Sequence, residues 1–233
     1  MCKIILALTM VLSLSFKAVA GDVTAGYCGP KDADGNYGTN CEWNYDASTK
    51  TLKIWGTGRM YNSNAVRDHP WSRGTSYYGD IENVVIEEGI TTIGVHAFYA
   101  ATSLENVVLP DSLTEIGYEA LRGETKIKSI VIPATIKFLR SSAELRLFGR
   151  SIEEVYCYEE KTELCSKAVS TSGLDEEVLK IYKKYGNEYF YDGKFYHSPK
   201  DIGLKKHIRK LSYSPVEAAL VSGENNTIIL YYK

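Results

Sequence analysis

The residues able to do chemistry are few and poorly spaced for it. His69, His96, His197 and His207 never fall four apart, so no helix face presents two imidazoles to a metal. No Gly-x-Ser-x-Gly turn offers an exposed nucleophile. Asp32-Ala33-Asp34-Gly35-Asn36 has the crowded oxygens that wrap a hard cation, but a calcium loop counted from Asp32 needs Gly and Glu where Tyr37 and Trp43 stand. It reads as a polar turn. Gly56-Thr57-Gly58 lacks the further glycine and the helix start of a phosphate loop, and Glu87-Glu88 and Glu159-Glu160 read as solvated surface. These spacings assign no catalytic, cofactor-binding or metal-ligating residue, and His96 is expected to face solvent.

The cysteines point elsewhere. Lys3, the apolar run 4–16 and Ala18-Val19-Ala20 read as a secretory signal peptide over residues 1–20, because 13 apolar residues fall short of the roughly 20 that span a bilayer. Cys2 leaves with it. Four cysteines then remain as two close pairs in an oxidising compartment, so Cys28–Cys41 and Cys157–Cys165 are expected as disulfides, each contributing on the order of 2 to 3 kcal/mol. Their spacing matches no common zinc pattern. The cleaved chain would carry 25 basic residues against 29 acidic, which argues against nucleic acid as a partner, and no later stretch is long and apolar enough to be a transmembrane helix. Asn225-Asn226-Thr227 is a glycosylation sequon, and the stretch 205–210 reads as an exposed basic segment.

The elements that would position any site are set by a repeat. Ile81-Glu82-Asn83-Val84-Val85-Ile86, Leu104-Glu105-Asn106-Val107-Val108-Leu109 and Ile127-Lys128-Ser129-Ile130-Val131-Ile132 recur every 23 residues, with a degenerate fourth copy from Ile152. Each unit adds a second apolar set such as Ile90, Ile93, Ala97 and Phe98. No single unit can bury its own apolar face, so the copies must stack. Alternation predicts Val84, Ile86, Val107, Leu109, Ile130 and Ile132 inward. It sends Asn83, Val85, Glu87, Asn106, Val108, Ser129, Val131, Glu154, Tyr156 and Tyr158 outward, with Val85, Val108, Val131 and Tyr156 as a ladder on which a partner could dock. Residues 41–56 read as a β-hairpin covering the first unit, with Trp43, Trp55 and Trp71 as packing residues. The irregular third unit predicts a helical excursion over 137–148. Leu174, Val178, Ile181, Tyr182 and Tyr185 fall at helical spacing behind Asp175-Glu176-Glu177. Asp192-Gly193 predicts a hairpin turn between 189–191 and 194–196, and 216–221 and 227–232 read as extended around 222–226.

The 23-residue period, with Ile93-Gly94-Val95-His96-Ala97-Phe98, Ile116-Gly117-Tyr118-Glu119-Ala120-Leu121 and the lead-in Cys41-Glu42-Trp43, Thr51-Leu52-Lys53-Ile54-Trp55-Gly56 and Pro70-Trp71, resembles the BspA-like leucine-rich repeats over residues 26 to about 168. That family is found on microbial surfaces and in secretions. The resemblance implies an α/β leucine-rich-repeat solenoid with a curved parallel sheet and short helical convex segments, here with an N-terminal β-hairpin cap and a small α+β C-terminal appendage. The expected partition is 1–20 signal peptide, 21–80 cap, 81–168 repeats and 169–233 appendage. The expected function is a secreted, non-enzymatic module that needs no cofactor and recognises an extracellular or cell-surface protein or glycan. The alternatives are a structural coat or matrix component and an enzyme whose tyrosines and His197 lie in the C-terminal region.

Overall fold

The computed structural model describes residues 24–203 apart from Arg73 and Glu124. The expected leader, the sequon at Asn225, the basic stretch 205–210 and the segments 216–221 and 227–232 lie outside the described residues.

The chain opens on β1 (Ala25–Lys31), β2 (Tyr37–Asp46) and β3 (Thr51–Gly56), an antiparallel trio followed by the short β4 (Gly58–Arg59). The expected hairpin at 41–56 is thus formed, with Trp43 and Leu52 on its buried side. Each repeat then contributes one strand to each of two rows. The pairs are β5 (Asn83–Ile86) with β6 (Ile90–Ile93), β7 (Asn106–Val108) with β8 (Glu115–Ile116), and β9 (Ser129–Val131) with β10 (Phe138–Leu139). In the first row β3, β5 and β7 pair in parallel, and β9 pairs in parallel with β11 (Glu154–Tyr158). β4, β6, β8 and β10 form the second, wholly parallel row.

Apolar side chains between the rows make one core. Val84, Leu109, Ile130 and Ile132 of the first row are buried, with Ile86, as alternation predicts, against Ile90, Ile93 and Ile116 of the second, while Val107 packs against the same core but is only partly buried. Beyond the second row, turns stack in register: His96 N donates to Tyr118 O at 3.0 Å, Phe98 N to Ala120 O at 2.9 Å and Leu121 N to Leu147 O at 3.2 Å. Neighbouring units therefore satisfy each other's backbone groups in segments that form neither helix nor long strand.

The third and fourth units depart from expectation. Residues 137–148 hold β10 and then irregular turns rather than a helix, because Leu147 and Phe148 must continue the turn stack set by Ala120 and Leu121. The convex helix falls one unit later, as α1 (Thr162–Thr171), tied to β11 by the Cys157–Cys165 disulfide. The helix expected from Leu174 to Tyr185 is instead a single turn followed by a strand. Asp175 accepts a hydrogen bond from Glu177 N and caps one 3-10 turn over Glu176–Val178, and β12 (Leu179–Tyr185) then pairs in parallel with β11. Of the five apolar residues at helical spacing only Ile181, Tyr182 and Tyr185 enter the strand, on opposite faces, and pairing with the edge of β11 overrides the helical pattern. β13 (Glu188–Tyr191) and β14 (Lys194–Tyr196) form the expected hairpin, with Asp192 and Gly193 both at positive φ. A short α2 (Lys200–Gly203) follows.

Candidate binding face

The side of the first row that faces away from the core carries the predicted ladder. Register sets Lys53, Val85 and Val108 side by side, likewise Thr51, Asn83 and Asn106, then Val131 beside Tyr156 and Ser129 beside Glu154. Two asparagines bond along the row: Asn83 Nδ2 donates to Thr49 O at 3.2 Å, and Asn106 Nδ2 to Asn83 Oδ1 at 2.8 Å. Lys53 Nζ lies 2.7 Å from Glu87 and 5.9 Å from the Trp55 ring centre.

The ladder is not the continuous open strip that alternation suggests. Val85 is 5% exposed and Asn83 7%, because β5 is flanked on both sides and Lys53 and Val108 stand beside a short valine. Tyr156, expected as the exposed anchor, is buried. Its ring meets Tyr191 edge-on at 5.1 Å and its hydroxyl donates to Glu154 Oε2 at 2.8 Å. Burial, and then the Glu154 carboxylate, raise its pKa.

What covers it is the chain itself. Tyr156, Tyr182, Tyr189 and Ile202 form a second apolar cluster, with Val131, Ala134, Tyr158, Tyr191 and Tyr196 packed against it. Tyr182 donates its hydroxyl to Ile132 O at 2.7 Å, and Ser198 reaches Asp111 at 3.5 Å. The hairpin and α2 thus fold across β9 and β11 and leave the half from β3 to β7 open. There Trp55, Lys53, Asn106 and Val108 are all partly exposed. Trp55 is the residue that sequence reasoning assigned to packing alone. Its alternation with Lys53 on β3 was the available signal. The tyrosines at 156 and 158, 189 and 191, and 196 gave a similar hint of a second aromatic layer.

Ion pairs follow one edge of the whole row. Lys50 pairs with Glu82 at 2.6 Å, Lys126 with Glu105 at 3.7 Å and Lys128 with Glu153 at 2.5 Å. Where β7 and β9 run side by side without a strand ladder, Glu105, Asn106, Thr125, Lys126, Lys128 and Ser151 line a shallow cleft of about 460 Å³. Asn106 joins this cleft to the asparagine ladder.

The other candidate residues are structural. Asp32 accepts hydrogen bonds from Asp34 N at 3.0 Å and Asn36 N at 2.8 Å, so its carboxylate is engaged by its own turn. His197 is exposed, 3.8 Å from Glu188. His96 does not face solvent as expected. Its Nε2 lies 2.9 Å from Glu119 Oε2, and Arg122 bonds the other oxygen. Burial holds the His96 pKa below its ordinary value, and Arg122 supplies the positive charge that Glu119 requires, so a neutral ring donating through Nε2 fits.

Cys28 and Cys41, expected as a disulfide, are not bonded in this structure. They are buried free thiols on neighbouring strands, where the β1–β2 ladder shifts register between Tyr27 and Gly29. The Cys28 thiol donates to Cys41, which raises the Cys28 pKa, and Cys41 Sγ lies 3.2 Å from Arg59 O. Two adjacent sulfurs sealed from other cysteines can pair only with each other. Non-reducing peptide mapping of air-oxidised protein should therefore find Cys28 linked to Cys41 and never to Cys157 or Cys165.

His69 gives a pH signature. It is fully buried, its ring stacks on Trp71 at 5.0 Å, and Nε2 lies 2.8 Å from Val95 O. Burial pushes its pKa from 6.5 down to about 4. The unfolded chain then binds a proton that the folded chain refuses, so this contribution to stability is complete above about pH 6.5 and is lost as the pH falls towards 4. The full loss is on the order of 3 kcal/mol. Urea midpoints of the protein and of His69→Phe, compared at about pH 7 and about pH 4.5, should show a shallower acid decline in the variant. Equal declines would assign the acid sensitivity to other groups.

Stacked units with two strand rows and a solvent-facing sheet define the class as a repeat protein. Residues 74–198 match the BspA type leucine rich repeat region in 6 copies, more than half of the chain, and the chain belongs to that family. It is similar to a leucine-rich repeat protein from Eubacterium ventriosum known from its crystal structure, at 18% identity and a TM-score of 0.44, over 68% of this chain and 46% of that one. The chain therefore spans about half the length of that protein. No curated protein matches. Repeats of this type serve in general as protein-interaction modules, typically non-enzymatic and at the surface or secreted. Among the described residues no helix is long and apolar enough to cross a membrane, and no cluster of His, Cys, Asp and Glu could hold a metal ion.

Proposed function

We propose that this chain is a secreted, non-enzymatic solenoid that binds an extracellular or cell-surface protein or glycan on the open half of its outer sheet face. The observation that carries the reading is Trp55. It is a partly exposed indole on the uncovered half of the row, with Lys53 and Glu87 beside it and the Asn83–Asn106 ladder across the neighbouring strands. An aromatic that is already ordered loses little entropy on contact, and the paired backbone beneath it holds its neighbours in place. The cleft at Glu105, Asn106 and Lys128 adds hydrogen-bonding groups of the kind that sugars or a polar peptide use.

The test is a pull-down with residues 21–233 from extracellular-matrix and cell-surface extracts, repeated with Trp55→Ala and Val108→Lys. Both variants should retain the melting profile of the parent and lower capture of the partner at least about tenfold, since loss of an aromatic anchor costs about 2 kcal/mol. Undiminished capture by both would move the binding site off this face.

A further inference from the structure

The C-terminal end of the sheet has two aromatic faces, and the described residues cover one of them. Tyr182, Tyr189, Tyr191 and Tyr196 belong to the cluster with Ile202. Ile181, Tyr185, Phe190 and Phe195 lie on the opposite side. Phe190 and Phe195 are cross-strand partners with ring centres 5.0 Å apart, and Tyr185 meets both at 6.2 and 6.1 Å. These side chains stand out of the protein: Ile181 is 37% exposed, Tyr185 55% and Phe195 58%.

One strand earlier the same side is core. Val155 and Cys157 of β11, in register with Leu179 and Ile181, are fully buried, and the same unit supplies their cover through α1. After β12 the chain doubles back into a hairpin instead of supplying such a segment. A contiguous aromatic patch of this kind on a soluble chain marks a contact site. The edge strand beside it is a poor target for strand addition, since β14 has three residues and Pro199 follows closely. The contact must therefore be made by the face.

We propose that this face is the docking site of the chain's own C-terminal segment, residues 216–232. Its two stretches, 216–221 and 227–232, are rich in apolar residues on either side of Ser222-Gly223-Glu224-Asn225-Asn226. The connector is long enough. Residues 204–215 reach about 40 Å when extended. The path from α2, which packs on β9, round to the face of β12–β14 is four strand spacings and one sheet thickness, about 30 Å. Area favours the same occupant. A stable dimer buries about 800 Å² on each partner, more than the exposed parts of four side chains provide, whereas a pair of six-residue strands matches their extent. This docking is independent of the partner proposed for the face around Trp55.

The experiment places the photo-crosslinking residue p-benzoylphenylalanine at position 195 of the full chain and maps the product after irradiation at several protein concentrations. The expected product is an intramolecular link into residues 216–232 with a yield independent of concentration. Links between chains, links only within residues 24–203, or no link would each overturn the proposal. A second measurement uses a hydrophobic fluorescent dye with the full chain. Leu220→Asp with Leu230→Asp should raise dye fluorescence severalfold, and adding Phe195→Ser should cancel that rise. A parent chain that already binds dye as strongly as the double variant would show that the face is uncovered.

Discussion

Leu109→Asp should abolish folding of the chain, whereas Val108→Lys should be nearly silent. The two positions are adjacent, and only the direction of their side chains differs. Leu109 is 3% exposed inside the core between the two strand rows, and Val108 is partly exposed on the outer face. Aspartate at 109 would bring an unpaired charge into a layer of Ile86, Leu113 and Ile132, at a cost of at least about 4 kcal/mol, a large share of the 5 to 15 kcal/mol that holds a domain together. Circular dichroism and urea titration of both variants would measure the contrast. Comparable losses in the two would mean that the strand faces are inverted.

Gly94→Ala carries the next largest expected effect. A Cβ at Gly94 would lie 1.8 Å from Tyr61 O and 3.0 Å from His69 Cε1, so the first repeat could no longer rest on the segment that covers it. The clash is with backbone, which cannot rotate away, and a cost of about 3 kcal/mol or more is expected, on the order of a 10 °C drop in melting temperature. Gly79→Ala is the control. The only heavy atom within reach of its Cβ is Thr102 Oγ1 at 4.0 Å, and calorimetry should find its melting temperature unchanged within about 2 °C. A small shift at Gly94 would show that Tyr61 yields and that the contact between cover and repeat is loose.

Gly94 also shows why this architecture was legible in the sequence. Ile93-Gly94 and Ile116-Gly117 recur 23 residues apart because each unit presses its backbone on the one before, and only glycine fits there. The inward positions were legible for the same reason. A requirement repeated in every unit leaves a periodic trace, as in Ile86, Leu109 and Ile132. Where the requirement occurs once, no such trace exists. The spacing of Leu174, Val178, Ile181 and Tyr185 is helical, and it is pairing with the edge of β11 that makes a strand of the chain from Leu179 on. The site was half legible. Alternation gives the side to which Tyr156 and Val131 point, but not that Tyr191 and Ile202 come back to lie over them. Of the three tryptophans expected to pack under the cover, Trp43 and Trp71 are fully buried and Trp55 is only partly so.

The antiparallel trios at the two ends of the first row limit what the chain can assemble into. Parallel units that satisfy one another's backbone groups could in principle accept a further unit from another molecule, and such head-to-tail addition does not close on itself but grows into a filament. Here the strand direction reverses at both ends, through β1–β2–β3 and β12–β13–β14. The second reversal returns β1 and β14 to the polarity of the repeats. Among the described residues, however, neither edge strand has a companion in the second row, so an incoming repeat would find a ladder for only one of its two strands. Growth along the stacking axis is terminated within each molecule, so any higher-order array would have to be built sideways, through side chains, with the number of repeats per particle fixed by the gene and not by concentration.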